Sequence, residues 1–351
     1  RPLAHSDPRP HRLEGGIRVN KVKFGVIGLG WFGEKHCEAL SGIPHVDLHA
    51  LCTRTKSRLN SLAKRFGVPN TFTDYNEMLA DPDLEAVSVV TMWDQHAAPT
   101  LAALKAGKHV FLEKPMASTV RDCRRIVNAA KAADGFFMVG HICRFNPRYA
   151  AAKAEIDAGK IGEIVSAYAR RNIPAGVGAA VLPKIGPIIG DGVHDADLIL
   201  WYTGAKVVSA YAQTVNVRGL KDPDIGWTMF RLDSGATAVL ENAWFLPDTT
   251  AFQIDERMEI IGTEGSIHIH ETHPNLSVCD KDGWHCPDTT YWPELHGVRA
   301  GALREELSYF ATCILEGMAP TIISPEESLE AVRACLAAEK SAATGRVVRL
   351  K

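Results

Sequence analysis

The sequence predicts an α/β protein in two parts: a doubly wound parallel sheet first, then an α+β part with one open, mostly antiparallel sheet. Three observations predict it. Strand-like apolar runs alternate with helical stretches from Val22 to about Val139, the mark of βαβ units. The glycine turn Gly28-Leu29-Gly30-Trp31-Phe32-Gly33 joins the first strand to its helix. Past about Gly140 the alternation stops, and strands follow one another through short turns.

Each element has its own signal. Val22–Ile27 is a short apolar run bounded by glycine, as expected of a buried parallel strand. It leads through the glycine turn into a helix reaching Leu40. Strands follow at Val46–Cys52, Ala86–Thr91, His109–Leu112 and Phe136–Val139, with helices at Lys56–Phe66, Ala97–Ala106 and Val120–Ala133. The second part has a strand at Ile164–Arg171 and a helix at Asp191–Tyr202. Strands then run at Val207–Val217, Trp227–Leu232, Ala236–Trp244, Arg257–Ile261, Ser266–His270 and Leu276–Cys279. Turns such as Asp233-Ser234-Gly235 and Lys281-Asp282-Gly283 connect them, which predicts an antiparallel meander. Two helices close the chain, Ala302–Glu316 and Pro325–Ala343. The latter has Ser324 as N-cap, Pro325 at the first position and Gly345 past its end.

These elements set the expected boundaries: a flexible lead over residues 1–20, a first domain over 21–140, a second over 141–322, and a helix and strand over 323–351 packing back on the first domain. The lead is rich in Pro, His and Arg and has no apolar core of a secretory signal; the start at Arg1 leaves room for an upstream piece.

Composition removes several classes of function. The 351 residues carry 39 Lys+Arg against 41 Asp+Glu, a net charge of −2, too little positive charge for a nucleic-acid binder. No apolar run approaches the roughly 18 residues that span a bilayer, so no membrane partner is expected. The eight cysteines are scattered without a Cys-x-x-Cys pair and read as the reduced thiols of a cytoplasmic protein.

The glycine turn carries chemistry because of where it stands, after a strand and opening a helix. Gly28 permits the tight turn, Gly30 lets a pyrophosphate approach the backbone, and Gly33 lets the helix pack on the strand. The helix start, with Trp31 and Phe32, offers N–H donors to phosphate. A dinucleotide is expected here, in a Rossmann domain. The end of the second strand commonly carries an acid for the ribose of NAD. Here it reads Cys52-Thr53-Arg54-Thr55-Lys56, with no acid. Thr53 and Arg54 can receive a 2′-phosphate, or Arg54 can stack on adenine in either cofactor. The expectation is NAD or NADP, with NADP slightly favoured.

Glu113-Lys114-Pro115 ends a strand of this domain, and His194-Asp195-Ala196-Asp197 lies on a helix of the next. With the glycine turn, they resemble the glucose–fructose oxidoreductase / inositol dehydrogenase (Gfo/Idh/MocA) family. The resemblance runs from Val22 to the C-terminus and takes in Thr91 with His96, Arg144-Phe145-Asn146-Pro147 and Thr344-Gly345-Arg346. It implies an N-terminal Rossmann domain and a C-terminal α+β domain whose open sheet often forms oligomer contacts. It also implies oxidoreduction of sugars or cyclitols with NAD or NADP. It places Thr91, His96, Glu113, Lys114 and Arg144 on the cofactor side, and such Glu-Lys-Pro bonds are often cis in this family.

The same residues suit that chemistry on their own terms. Oxidising a secondary alcohol needs a hydride acceptor and a group that removes the hydroxyl proton. Lys114, at the carboxyl end of a parallel strand, points into the crevice where ligands of such sheets lie. His194, in the first turn of its helix, is kept neutral by the positive helix end and can act as base, poised near its ordinary pKa of about 6.5. Asp191 and Asp197 flank it at i−3 and i+3. The family often has an acid four residues before this histidine. Here Gly190 stands there, so Asp191 reads equally as an N-cap carboxylate or a substrate contact, and Asp197 as a structural acid.

Other residues are weighed more evenly. Tyr291, Trp292 and His296 can form a lid over a sugar ring or an ordinary apolar cluster. Arg171 and Asn172, at a second-domain strand end, are further substrate candidates. His268, His270, His273, Cys279, His285 and Cys286 are close in sequence but match no zinc spacing, so no metal is expected. The leading function is a sugar or inositol dehydrogenase or reductase on CH–OH groups. A redox-assisted, NAD-dependent glycosidase and a non-catalytic dinucleotide-sensing regulator are the alternatives, the pair Lys114 and His194 arguing against the second. The second-domain sheet lacks enough later helices to cover both faces, which predicts a homodimer or homotetramer.

Overall fold

The computed structural model describes residues 20–181, 184–270 and 276–351. The lead expected over 1–20 lies, but for Asn20, outside the described residues, as does His273.

The first part carries β1 (Val22–Ile27), α1 (Trp31–Ser41), β2 (Val46–Cys52), α2 (Lys56–Phe66), β3 (Asn70–Phe72), α3 (Tyr75–Leu79), β4 (Ala86–Val89), α4 (Ala97–Lys105), β5 (His109–Glu113), α5 (Val120–Ala132) and β6 (Phe137–Gly140). Its strands form one parallel sheet in the order β3-β2-β1-β4-β5-β6. The chain starts in the middle of the sheet and winds outward both ways, which leaves a crevice at the carboxyl ends of β1 and β4. Val22, Phe24, Val26 and Ile27 of β1 are buried, because helices cover both faces of such a sheet. The sequence reading lacked β3 and α3, which at three and five residues are too short to show a period.

The second part carries α6 (Pro147–Asp157), β7 (Ile164–Asn172), α7 (Ala175–Val181), α8 (Pro187–Gly190), α9 (Gly192–Thr203), β8 (Val207–Val215), β9 (Ile225–Leu232), β10 (Thr237–Ala243), β11 (Asp255–Gly262) and β12 (Ser266–His270). Short strands β13 (Val278–Asp280), β14 (Gly283–His285), β15 (Glu294–Leu295) and β16 (Val298–Arg299) precede α10 (Ala302–Glu316), α11 (Pro325–Thr344) and β17 (Val348–Arg349). The large sheet runs β12-β11-β7-β10-β9-β8-β17. It is antiparallel except where β10 lies parallel to β7. The expected meander is therefore broken: β7 sits between β10 and β11, because the helices after β7 carry the chain to the far side before β8 begins. The strand expected at Leu276–Cys279 is not part of this sheet; β13 pairs with β14 in a ribbon of its own.

Helix α10 and strand β17 land elsewhere than expected, while α11 meets α5 and β6 of the first domain as well as the second domain. Helix α10 leaves the second domain and packs on β1, β5 and α1. Its Phe310 is fully buried, with Phe24 at 6.2 Å and Phe111 at 5.9 Å, both edge-on. Helix α11, opened by the Ser324–Glu327 capping box, lies chiefly against β8 and α9 and touches α5. Strand β17 extends the second sheet, Val348 facing Ala210, rather than joining the first domain.

Helices α8, α9 and α11 cover one face of the large sheet. Among the described residues no helix covers the other face. On β9 the residues alternate, Thr228, Phe230 and Leu232 buried, Trp227, Met229 and Arg231 exposed. Among the described residues no helix is long and apolar enough to cross a membrane.

Candidate active site

The glycine turn is built around three different needs. Gly28 has φ +98°, and a Cβ there would come within 2.6 Å of the Val90 carbonyl oxygen. A Cβ on Gly33 would run into the Gly28 carbonyl, so only glycine lets α1 sit this close to β1. Gly30 is the opposite case: nothing lies within 4 Å of an added Cβ, leaving an open cradle at the start of α1. That cradle fits a pyrophosphate, which the unpaired N–H groups of the helix start would bind.

At the end of β2, Arg54 is exposed, and its Nη2 donates to Gln95 Oε1 at 3.3 Å. Arg58 is committed elsewhere, donating from Nε to the Leu29 carbonyl at 3.0 Å and pairing with Glu34. Trp31 is 62% exposed, its ring stacked on Phe32. Trp292 meets both rings edge-on at 5.7 and 5.6 Å. The indole from the second domain thus packs on the start of α1.

At the ends of β4 and β5, the His96 ring spans two carbonyls: Nε2 lies 3.0 Å from Thr91 O and Nδ1 2.8 Å from Pro115 O. Burial lowers its pKa, so the neutral ring donates to one carbonyl at a time. The His96 ring is wedged between the two crevice loops, with each nitrogen against a loop carbonyl. The Thr91 hydroxyl is buried without a hydrogen-bond partner. Glu113 turns inward instead of toward a ligand. Its Oε1 lies 3.0 Å from His36 Nε2, and its Oε2 accepts the Lys114 N–H at 3.2 Å. Beside it the Glu306 carboxyl is wholly buried without a partner; burial and the Glu113 charge raise its pKa well above the usual range.

Lys114 reaches across to the second domain. The Lys114–Pro115 peptide is cis. Lys114 Nζ donates to the Gly190 carbonyl at 2.9 Å and lies 3.9 Å from Asp191 Oδ1. Asp191 stands at the cap position of α9, but its carboxylate makes no cap; Oδ2 accepts from Trp244 Nε1 at 2.8 Å.

His194 sits one turn into α9, 7% exposed, with Nδ1 unpartnered. Burial first, then the positive charges of Lys114 and Arg171, push its pKa well below 6.5. This corrects the expectation of an imidazole half-protonated near neutral pH: the ring is neutral through that whole range, and for reasons stronger than the helix end.

The remaining candidates are held elsewhere. Arg144 is buried and grips Asp197 through Nε at 2.9 Å and Nη2 at 2.7 Å, while Nη1 donates to Ile322 O and Glu327 Oε1. It joins the strand end after β6 to α9 and α11, and its charge is spent there rather than on a cofactor. Arg171 is buried between Glu256 and Asp195 and faces the core beneath the site, not the crevice. Tyr291 is buried too, its hydroxyl donating to Glu256 at 2.7 Å, which removes it from a lid. His296 occupies the exposed two-residue turn between β15 and β16, with φ +52°. Asn172 is tied to Glu241 and to the Ala243 N–H. Among the described residues no group of three or more His, Cys, Asp or Glu is gathered for a metal.

Two residues near Lys114 escaped the sequence reading. His141 follows β6, and the pairing of Glu113 with Gly140 puts it beside Lys114 at neighbouring strand ends. Its ring is buried, Nδ1 lying 3.6 Å from Asp197 Oδ2. Trp244 follows β10 and holds Asp191. The rule that ligands gather at strand carboxyl ends would have flagged His141.

Comparison with known proteins agrees with this arrangement. Residues 22–141 match the description "Oxidoreductase family, NAD-binding Rossmann fold", and residues 149–268 match "GFO/IDH/MocA C-terminal domain". The chain is 28% identical to scyllo-inositol 2-dehydrogenase (NAD(+)) of Bacillus subtilis, over 94% of this chain and 97% of that protein. It is 32% identical to an inositol 2-dehydrogenase of Acidothermus cellulolyticus, over 72% and 74% of the two chains. The crystal structure of scyllo-inositol dehydrogenase from Lactobacillus casei, with bound NAD(H) and scyllo-inositol, superposes with a TM-score of 0.81. That match has 25% identity and covers 94% of this chain and 99% of the other. With its glycine turn, its Glu-Lys-Pro strand end and both domains matched, the chain belongs to the Gfo/Idh/MocA family of oxidoreductases.

Proposed function

We propose that this chain oxidises a ring carbon bearing a secondary hydroxyl of a cyclitol, inositol first among them, or of a related sugar. One observation carries the reading: Lys114 of the first domain reaches the start of α9, where Asp191 and His194 of the second domain stand. A hydroxyl entering from the crevice therefore meets groups from both domains. The nicotinamide dinucleotide supplies the hydride acceptor. Gly28, Gly30, Gly33 and the α1 start would hold its pyrophosphate, with Thr91 nearby and Thr53 and Arg54 at the 2′ end.

The protein's own residues then handle the proton. His194, neutral and buried, accepts it from the hydroxyl. The Lys114 ammonium donates a hydrogen bond to the oxygen as negative charge grows on it. Asp191 balances that ammonium from 3.9 Å.

Two finer points belong to the same proposal. The β2 end has no acid and presents Arg54 exposed, which favours NADP over NAD. The open face of the large sheet, with Trp227 and Met229 exposed, is where a second copy of the chain would pack, giving a homodimer or homotetramer. Light scattering tests the second point, and a monomer at micromolar concentration with full activity would refute it. A panel of inositols, aldoses and sugar acids, run with NAD and NADP in parallel, tests the substrate class by the absorbance of the reduced cofactor. Sugar release without that signal would mean a glycosidase instead.

A further inference from the structure

We propose that Trp244 is a positioning residue of this site, its indole N–H holding the Asp191 carboxylate beside Lys114. The proposal rests on the reading above and adds a residue to it.

The backbone of Trp244 is fixed at the end of β10. Its N–H donates to Asp224 O at 2.8 Å, and its carbonyl accepts from Arg218 Nη2 at 2.7 Å. The ring is buried, and two glycines make its place. A Cβ on Gly190 would lie 2.6 Å from the indole Cη2 and 2.8 Å from Cζ2; one on Gly178 would lie 2.8 Å from the Trp244 Cβ. Position 190 is thus glycine because the indole occupies the space that a side chain there would need. The ring lies against the same residue whose carbonyl accepts from Lys114 Nζ.

The hydrogen bond matters because of what Asp191 would otherwise do. An aspartate at a helix N-cap normally accepts from the N–H groups of the first turn. Here Asp191 is at that position without making the bond; Oδ2 goes to the indole at 2.8 Å and Oδ1 faces the Lys114 ammonium at 3.9 Å. Removing the indole N–H takes away the partner of Oδ2 and frees the carboxylate to turn away from Lys114. Lys114 then loses its counter-charge where the hydroxyl must bind.

The test is a kinetic cycle with inositol and saturating cofactor on Trp244→Phe, Asp191→Ala and the double variant, with dinucleotide affinity by fluorescence titration and folding by thermal melting. The expected result is a roughly tenfold fall in kcat for Trp244→Phe, unchanged dinucleotide affinity, and no further fall in the Asp191→Ala background. Gly190→Ala, which drives the ring out by the contacts above, should reproduce the loss, and Trp244→Phe should relieve the crowding in that variant. If Trp244→Phe does not fold, Gly190→Ala decides. Wild-type kcat in the folded variants, or equal losses with and without Asp191, would overturn the proposal. Failure of the underlying reading looks different: Lys114→Ala and His194→Ala would then turn over like wild type, whatever Trp244→Phe does.

Discussion

The buried neutral state of His194 makes a measurable demand on stability. In the unfolded chain its imidazole titrates near 6.5, whereas burial and the Lys114 charge hold the folded pKa well below that value. Below about pH 6.5 the unfolded state therefore binds more protons than the native state, and stability falls as pH falls. The contribution is fully present above the unfolded pKa and is lost from there down to the folded one. At about pH 5.5, one unit below, the loss from this one residue approaches a ceiling of RT ln(1 + 10), about 1.4 kcal/mol, set by the unfolded pKa alone. His194→Gln keeps a polar side chain of similar reach that cannot titrate. Urea unfolding of both proteins at about pH 7.5 and about pH 5.5 isolates the effect, since every other titrating group, the buried His96 and His141 among them, is present in both. Wild type should lose more than His194→Gln over this interval, by up to about 1.4 kcal/mol. Equal losses would mean that His194 is not held neutral by its surroundings. The same poise puts any acidic limb due to His194 in the profile of kcat/KM below about pH 6.5.

Further outcomes follow from the same geometry. Gly30→Val should fold normally, since nothing stands within 4 Å of a Cβ there, yet lose dinucleotide binding in a fluorescence titration. Arg54→Ala should weaken NADP more than NAD; equal weakening would show that Arg54 does not meet a 2′-phosphate. Asp197→Ala leaves the buried Arg144 guanidinium without its bidentate partner and should cost about 3–5 kcal/mol in denaturant unfolding.

The parts legible in the sequence are those where local backbone or chain order alone dictates the outcome. Gly28 and Gly33 declare their places because no other residue fits the turn. Lys114 declares its place because a parallel strand delivers the residue that follows its end to the crevice. Helix α10 was not legible in this way. Its apolar stripe shows that it packs somewhere, but only the three-dimensional meeting of Phe310 with Phe24 and Phe111 assigns it to the first sheet. Arg171 misled for a related reason. It follows Ala167 and Ala169 on the covered side of β7, and the acids that allow a cation there, Glu256 and Asp195, come from other elements. The sequence leaves Trp292 open between a lid over a sugar and an apolar cluster, because an aromatic ring carries no mark of its partner; the structure packs it on Trp31 and Phe32.

The central claim is that Lys114 and His194, from opposite domains, share one proton transfer. Steady-state oxidation of inositol by wild type, Lys114→Ala, His194→Ala and the double variant tests it most directly, with cofactor affinity measured alongside. The account predicts that each single change lowers kcat by on the order of 10²–10⁴-fold with cofactor affinity nearly intact. It also predicts that the double variant is far less impaired than the product of the two losses. Turnover near the wild-type rate in either single variant, or losses that simply multiply, would contradict it.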